Sequence, residues 1–186
     1  DATTKGAITA TITASDLTTL LALTDANTNG NNALTIIETG PSADAAYLNT
    51  VAAITGVVVD ATAVKTITGT ADAIVNVAQS AGITTAADYA ATVTDADGRS
   101  IAATALATLG ASTTGTVSVS NAVEISGSVS EITAALITDA TKVVLAGSAN
   151  VTANDVDGAS DLSGIDPSGT LTAQLANGVD ISGNIN

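Results

Sequence analysis

The sequence predicts a right-handed α/β solenoid of about six coils, on three observations. A phrase recurs about every 28 residues. Each recurrence sets a cap residue before an alanine-rich helical pattern, and two short period-two stretches separate one helix from the next. Repeats of this size cannot bury an apolar face alone. Stacking puts each strand beside its equivalent in the next coil, giving parallel sheets and one continuous core. The hand follows from the crossover rule for parallel strands.

The recurrences, in order, are "TITASDLTTLLALT", "IIETGPSADAAYLNTVAAIT", "TITGTADAIVNVAQSAG", "TVTDADGRSIAATALATLG", "EISGSVSEITAALITDA" and "TANDVDGASDLSGID". With Ser15, Ser42, Thr70, Asp97, Ser128 and Asp157 as equivalent caps, the steps are 27, 28, 27, 31 and 29 residues. A Ser, Thr or Asp oxygen at this position accepts from an otherwise unpaired N–H of the first helical turn. Ser128 and Glu131 together spell a capping box.

Each helix is expected to last about three turns. Ala45, Leu48 and Ala52 in the second unit, and Ile132, Ala135, Leu136 and Ala140 in the fifth, mark the inward face. Gly56, Gly82 and Gly110 are expected to end helices through the left-handed conformation. Between helices, pairs such as "VVVDA" with "AVKTITG" and "TVSVS" with "AVEISG" alternate Val or Ile with Thr or Ser, the pattern of a strand with one buried face. The first strand is expected to be poorly formed in "TTAADYAAT". Strands stack at about 4.8 Å per coil and helices nearer to about 10 Å, so the stack should curve with its helices on the convex side. A doubly wound α/β domain also alternates strands and helices, but the likeness between units and the second strand in each favour the solenoid.

Composition fits a thin core of small side chains. Of 186 residues 46% are apolar, and the chain has no Phe, Trp, Met, Cys or His and only two Tyr. Positive hydropathy and regular Val and Ile argue against disorder. The net charge of −14, with only Lys5, Lys65, Arg99 and Lys142 basic, disfavours nucleic acid and anionic membrane surfaces as partners. No apolar run is long enough to insert into a membrane. The whole of residues 1–186 reads as a single repeat domain. A chain that starts on Asp1 and breaks off in mid-pattern at "NGVDISGNI" is expected to belong to something longer, or to join copies of itself head to tail.

No catalytic constellation emerges. Without His or Cys, Ser-His, Cys-His and zinc arrangements are excluded, and no Gly loop precedes a Lys as a phosphate loop requires. A carboxylate pair for sugar hydrolysis would need aromatic platforms, and only Tyr47 and Tyr89 exist. The expectation is a protein that is not an enzyme. Outward Thr rows such as Thr66-Ile-Thr68 and Thr92-Val-Thr94 suggest ice binding, but Glu124 and Ser126 stand at the equivalent place further on and break the row.

Calcium is the one cofactor with candidate ligands. Asp25, Asn27 and Asn29 alternate before Gly30 as in a calcium loop, yet the twelfth position is Ile36 where a bidentate Glu belongs, and Glu38 comes two residues late. Asp95 and Asp97 before Gly98, and Asp155 and Asp157 before Gly158, lie at strand-to-helix corners that could stack and share an ion. The same carboxylates serve equally as helix caps.

Phrases such as "AVKTITGTADAIVNVAQSAGITTA" and "AVEISGSVSEITAALITDA" resemble the tandem repeats of giant cell-surface and adhesin-like proteins of cyanobacteria and other marine bacteria. The resemblance implies an extracellular structural or adhesive role, often supported by calcium, with a carbohydrate, a surface or further copies of itself as partner. No functional residue is carried over.

Overall fold

The computed structural model describes residues 9–16, 18–21, 33–138, 141, 143–145, 148–157, 160, 164–165 and 169–175. The first unit contributes β1 (Thr9–Ala14), and the second β2 (Ala33–Glu38), β3 (Ser42–Asp44) and α1 (Ala45–Ala53). The third holds β4 (Val59–Ala61), β5 (Thr66–Gly69) and α2 (Ala71–Gln79). The fourth holds β6 (Ile83–Thr85), β7 (Ala90–Val93), β8 (Ser100–Ala102) and α3 (Ala103–Ser112). The fifth holds β9 (Val117–Val119), β10 (Glu124–Gly127) and α4 (Val129–Leu136), and β11 (Val143–Leu145), β12 (Asn150–Val156) and β13 (Leu171–Leu175) follow.

These strands form three sheets, ordered β1-β2-β4-β6, β3-β5-β7-β9-β11 and β8-β10-β12-β13, and every pairing among them is parallel. The chain is therefore a mixed α/β protein with parallel sheets. Partners come from neighbouring units: Thr9 lies beside Ala33, Ser42 beside Thr66, Thr66 beside Ala90, Val117 beside Val143 and Glu124 beside Asn150. Period two in each strand aligns the inward residues into rows. Ala43, Ile67, Ala91, Val117 and Val143 form one buried row across the second sheet, and Ile101, Ile125 and Val151 another across the third. Such rows need similar side chains in every unit, which is why small aliphatic residues suffice for the core.

The helices bury one face against these rows through residues three apart: Ala45, Leu48 and Val51 in α1, Ala71, Ile74 and Val77 in α2, Ala103, Leu106 and Leu109 in α3. Ile132, Ala135 and Leu136 do the same in α4. In α1 the third inward residue is Val51 rather than Ala52, which is half-buried.

Several expectations are corrected. Thr70 and Ser128 cap helices as expected, Ser128 with the reciprocal Glu131 bond, but α1 is capped by Asp44 and α3 begins after Ala102. Ser42 is a strand residue, and Asp97 sits in the turn before β8. The reason is common to both places: β3 and β8 run straight into their helices, so the cap position falls on the last strand residue. The caps thus step by 26, 32 and 26 residues. The long step accommodates a third strand, β8, in the fourth unit. "TTAADYAAT" is not poorly formed, since it supplies the end of β6 and the whole start of β7.

Glycine use also differs. Among the described residues only Gly69 and Gly98 have positive φ, so Gly56, Gly82 and Gly110 end no helix by a left-handed turn. Gly110 lies inside α3, where a Cβ would collide with the Thr141 backbone.

The third strand rephases the sheets. Up to α2 the strand entering each helix belongs to the second sheet, whereas from α3 onward it belongs to the third. Thr68 and Thr92 are therefore continued by Ser118, and Glu124 stands in a different sheet, so the hydroxyl row does not break where the sequence places the break.

Candidate functional site

Asp25, Asn27 and Asn29 lie outside the described residues. The other calcium candidates are present, and their carboxylates are engaged. Asp95 Oδ2 accepts from the Ala71 N–H at 2.7 Å, and Asp155 Oδ1 accepts from the Val129 N–H, also at 2.7 Å. Ala71 and Val129 are the first residues of α2 and α4, one unit earlier in the chain. Each of these helices thus receives two oxygen acceptors: its own Thr70 or Ser128 takes the N–H three residues on, at 3.2 Å, while the Asp of the next unit takes the first. A carboxylate at this end also meets the positive end of the helix dipole.

Asp97 and Asp157 do not join them. Asp97 Oδ1 accepts from the Ala122 N–H at 3.0 Å, which fastens the turn between β7 and β8 to the turn between β9 and β10 in the next unit. Asp157 Oδ1 accepts from the Ser160 hydroxyl at 2.9 Å, and Ser160 Oγ in turn accepts from the Asp157 N–H. Among the described residues no three carboxylate, His or Cys side chains are grouped so as to hold a metal ion.

Other polar side chains repeat the same theme of linking neighbouring units. Thr55 and Thr113, both buried, each donate a hydroxyl hydrogen to a carbonyl of the preceding unit, Leu34 O at 2.7 Å and Tyr89 O at 2.6 Å. Each also accepts from the N–H two residues on, Val57 or Gly115. Asn121 donates to the Asp95 carbonyl at 2.7 Å, Asn150 to Glu124 Oε1 at 2.7 Å, and Asn49 on α1 to the Ala73 carbonyl of α2 at 2.9 Å. Lys65 and Asp88 form an exposed ion pair at 3.0 Å. That contact holds the Asp88 carboxyl below its ordinary value, first through the hydrogen bond and then through the charge. Asp16 and Asp60 are lowered likewise, mainly by the hydroxyls of Thr18 and Thr62.

One aromatic enters the core. Tyr89 is fully buried, with its hydroxyl 2.7 Å from Ser112 Oγ. Burial raises its pKa, partly offset by Ser112. Tyr47 on α1 is exposed at 39%, more than a packing residue would be.

The sequence reading missed the cross-unit role of Asp95 and Asp155, the two threonine clamps and the buried Glu38. A signal for the clamps exists, because a threonine with a glycine one or two residues on stands between a helix and the next strand at Thr55 and again at Thr113. No protein-family model, curated protein or solved structure matches the chain. No helix among the described residues is long and apolar enough to cross a membrane.

Proposed function

We propose that the chain is a right-handed α/β solenoid of about six coils that serves as a non-enzymatic structural segment of a secreted or cell-surface protein, as a rigid spacer or as part of a fibre or layer. The observation that carries this reading is the parallel pairing between strands of neighbouring units in all three sheets, the second of which runs from β3 to β11 while the first ends at β6 and the third begins at β8. Such a chain adds length by adding units, and its stability is a sum of unit and neighbour terms. The engaged corner carboxylates support the same reading, since they join units rather than converge on a ligand.

Light scattering across a concentration series, with small-angle X-ray scattering for shape, tests the reading. Particles that lengthen in one direction with concentration favour assembly, and a monomer of fixed size favours the spacer. A monomer retained on a glycan array would replace both with a calcium-supported adhesin. Turnover of any substrate would end the non-enzymatic reading.

A further inference from the structure

We propose that β1 and the residues that follow it at Ser15 form a strap that lifts off β2 while the rest of the stack stays folded, and that the buried carboxylate of Glu38 sets how often it lifts. Strand alternation points Glu38 inward. Its neighbour on β1 is Ala14, and the corresponding positions of β4 and β6 are Ala61 and Thr85, so a carboxylate interrupts a row of small side chains. Glu38 is 1% exposed. Its Oε1 accepts from the Gly40 N–H at 2.6 Å, while its Oε2 is buried with no hydrogen-bond partner.

The donors close to it are committed elsewhere. Thr39 gives both its N–H and its hydroxyl to the Ala14 carbonyl, at 2.7 and 3.0 Å. Gly40 gives its N–H to Glu38 Oε1, and Pro41 has none to give. The strap brings a further acceptor, since the Ser15 carbonyl oxygen and Glu38 Oε1 both lie 2.7 Å from the point where a Cβ on residue 40 would stand. Among the described basic residues, Lys65 is engaged with Asp88, and Arg99 lies between β7 and β8, two units away.

An ionised carboxylate so placed has given up its hydration for one hydrogen bond. Lifting Ala14 and Ser15 away returns it to water, so the closed strap carries a cost that the open one sheds. The strap also has less apolar burial to lose than a strand inside the stack. Its inward Ala10 is exposed and its Ile12 half-buried, whereas their partners Leu34 and Ile36 on β2 are buried. The six-residue ladder between β1 and β2 holds it closed. The result is a stack with one compliant coil. This inference concerns the opening of that coil and does not rest on the structural role of the whole chain.

Native-state hydrogen exchange of the full chain at low denaturant concentrations is the test. Amides of β1 should exchange through a local opening that hardly depends on denaturant, whereas those of β5 should follow global unfolding. Edge position alone does not explain this if β13, also at the edge of its sheet, serves as the reference. Glu38→Gln removes the charge and should slow β1 exchange about 10-fold relative to β13. Glu38→Ala should do the same, and it matches Ala14 and Ala61 beside it, which keeps the test decisive if the amide of Glu38→Gln packs badly. Three results overturn the proposal: β1 and β5 exchanging together in one cooperative step, β1 exchange unchanged or faster relative to β13 in both variants, or neither variant folding.

Discussion

Tyr89 is the single large aromatic in a core otherwise built from aliphatic side chains, and its hydroxyl has one polar partner, Ser112. Folding keeps the phenol protonated to a higher pH than in the unfolded chain, where it ionises at about 10. The folded state then binds more protons than the unfolded state above that pH, so stability falls as pH rises past about 10. Tyr89→Phe should cost about 1 kcal/mol at neutral pH by removing the bond to Ser112, which keeps its own bond to the Leu109 carbonyl, and should flatten the alkaline decline. Urea titrations at a series of pH values check both. At the acid end Asp16, Asp60 and Asp88 act in the opposite sense. Their lowered values give stability that is present above about pH 4 and lost as pH falls through them, and the loss is modest because all three are exposed or nearly so.

At the scale of elements, the N-terminal ends of α2 and α4 depend on a residue from the following unit. Asp95→Ala removes the acceptor of the Ala71 N–H and should destabilise by about 1 kcal/mol, as should Asp155→Ala at Val129. Calcium should not rescue either variant, which separates a cap from a metal ligand in a denaturation experiment. Inside α3, Gly110 inverts a familiar rule. Ala in place of an interior helical Gly normally adds about 1 kcal/mol of stability. Here the added methyl meets the Thr141 backbone, so Gly110→Ala should lower the melting temperature instead.

For the whole molecule, pairing between neighbours sets the distribution of stability. β5, β7 and β9 have a strand on either side within their sheet, whereas β1 and β13 close sheets at one edge. Native-state hydrogen exchange should find the slowest amides in β5, β7 and β9 and faster ones toward β1 and β13. Ile67→Ala, second in the longest buried row, should cost about 2 to 5 kcal/mol and should reach beyond its own unit, because Ala43 and Ala91 on either side lose a partner. Uniform exchange along the chain would contradict a neighbour-by-neighbour architecture.

Period-two strands, period-3.6 helices and recurring caps are local signals, carried by residues adjacent in sequence. Mixed α/β content, parallel pairing between units, the inward rows and the Ser128 capping box were therefore legible in the sequence. What lay beyond reach depends on residues about 24 to 26 apart meeting across a register. The insertion of β8 moved Glu124 into another sheet, turned Asp97 from a cap into a tie to Ala122, and made Asp95 the acceptor for a helix one unit back. The sequence determined that units would stack, because none can bury its apolar face alone. Only the tertiary structure decided which polar side chain meets which neighbour, because a register shift changes those partners while leaving each local pattern intact.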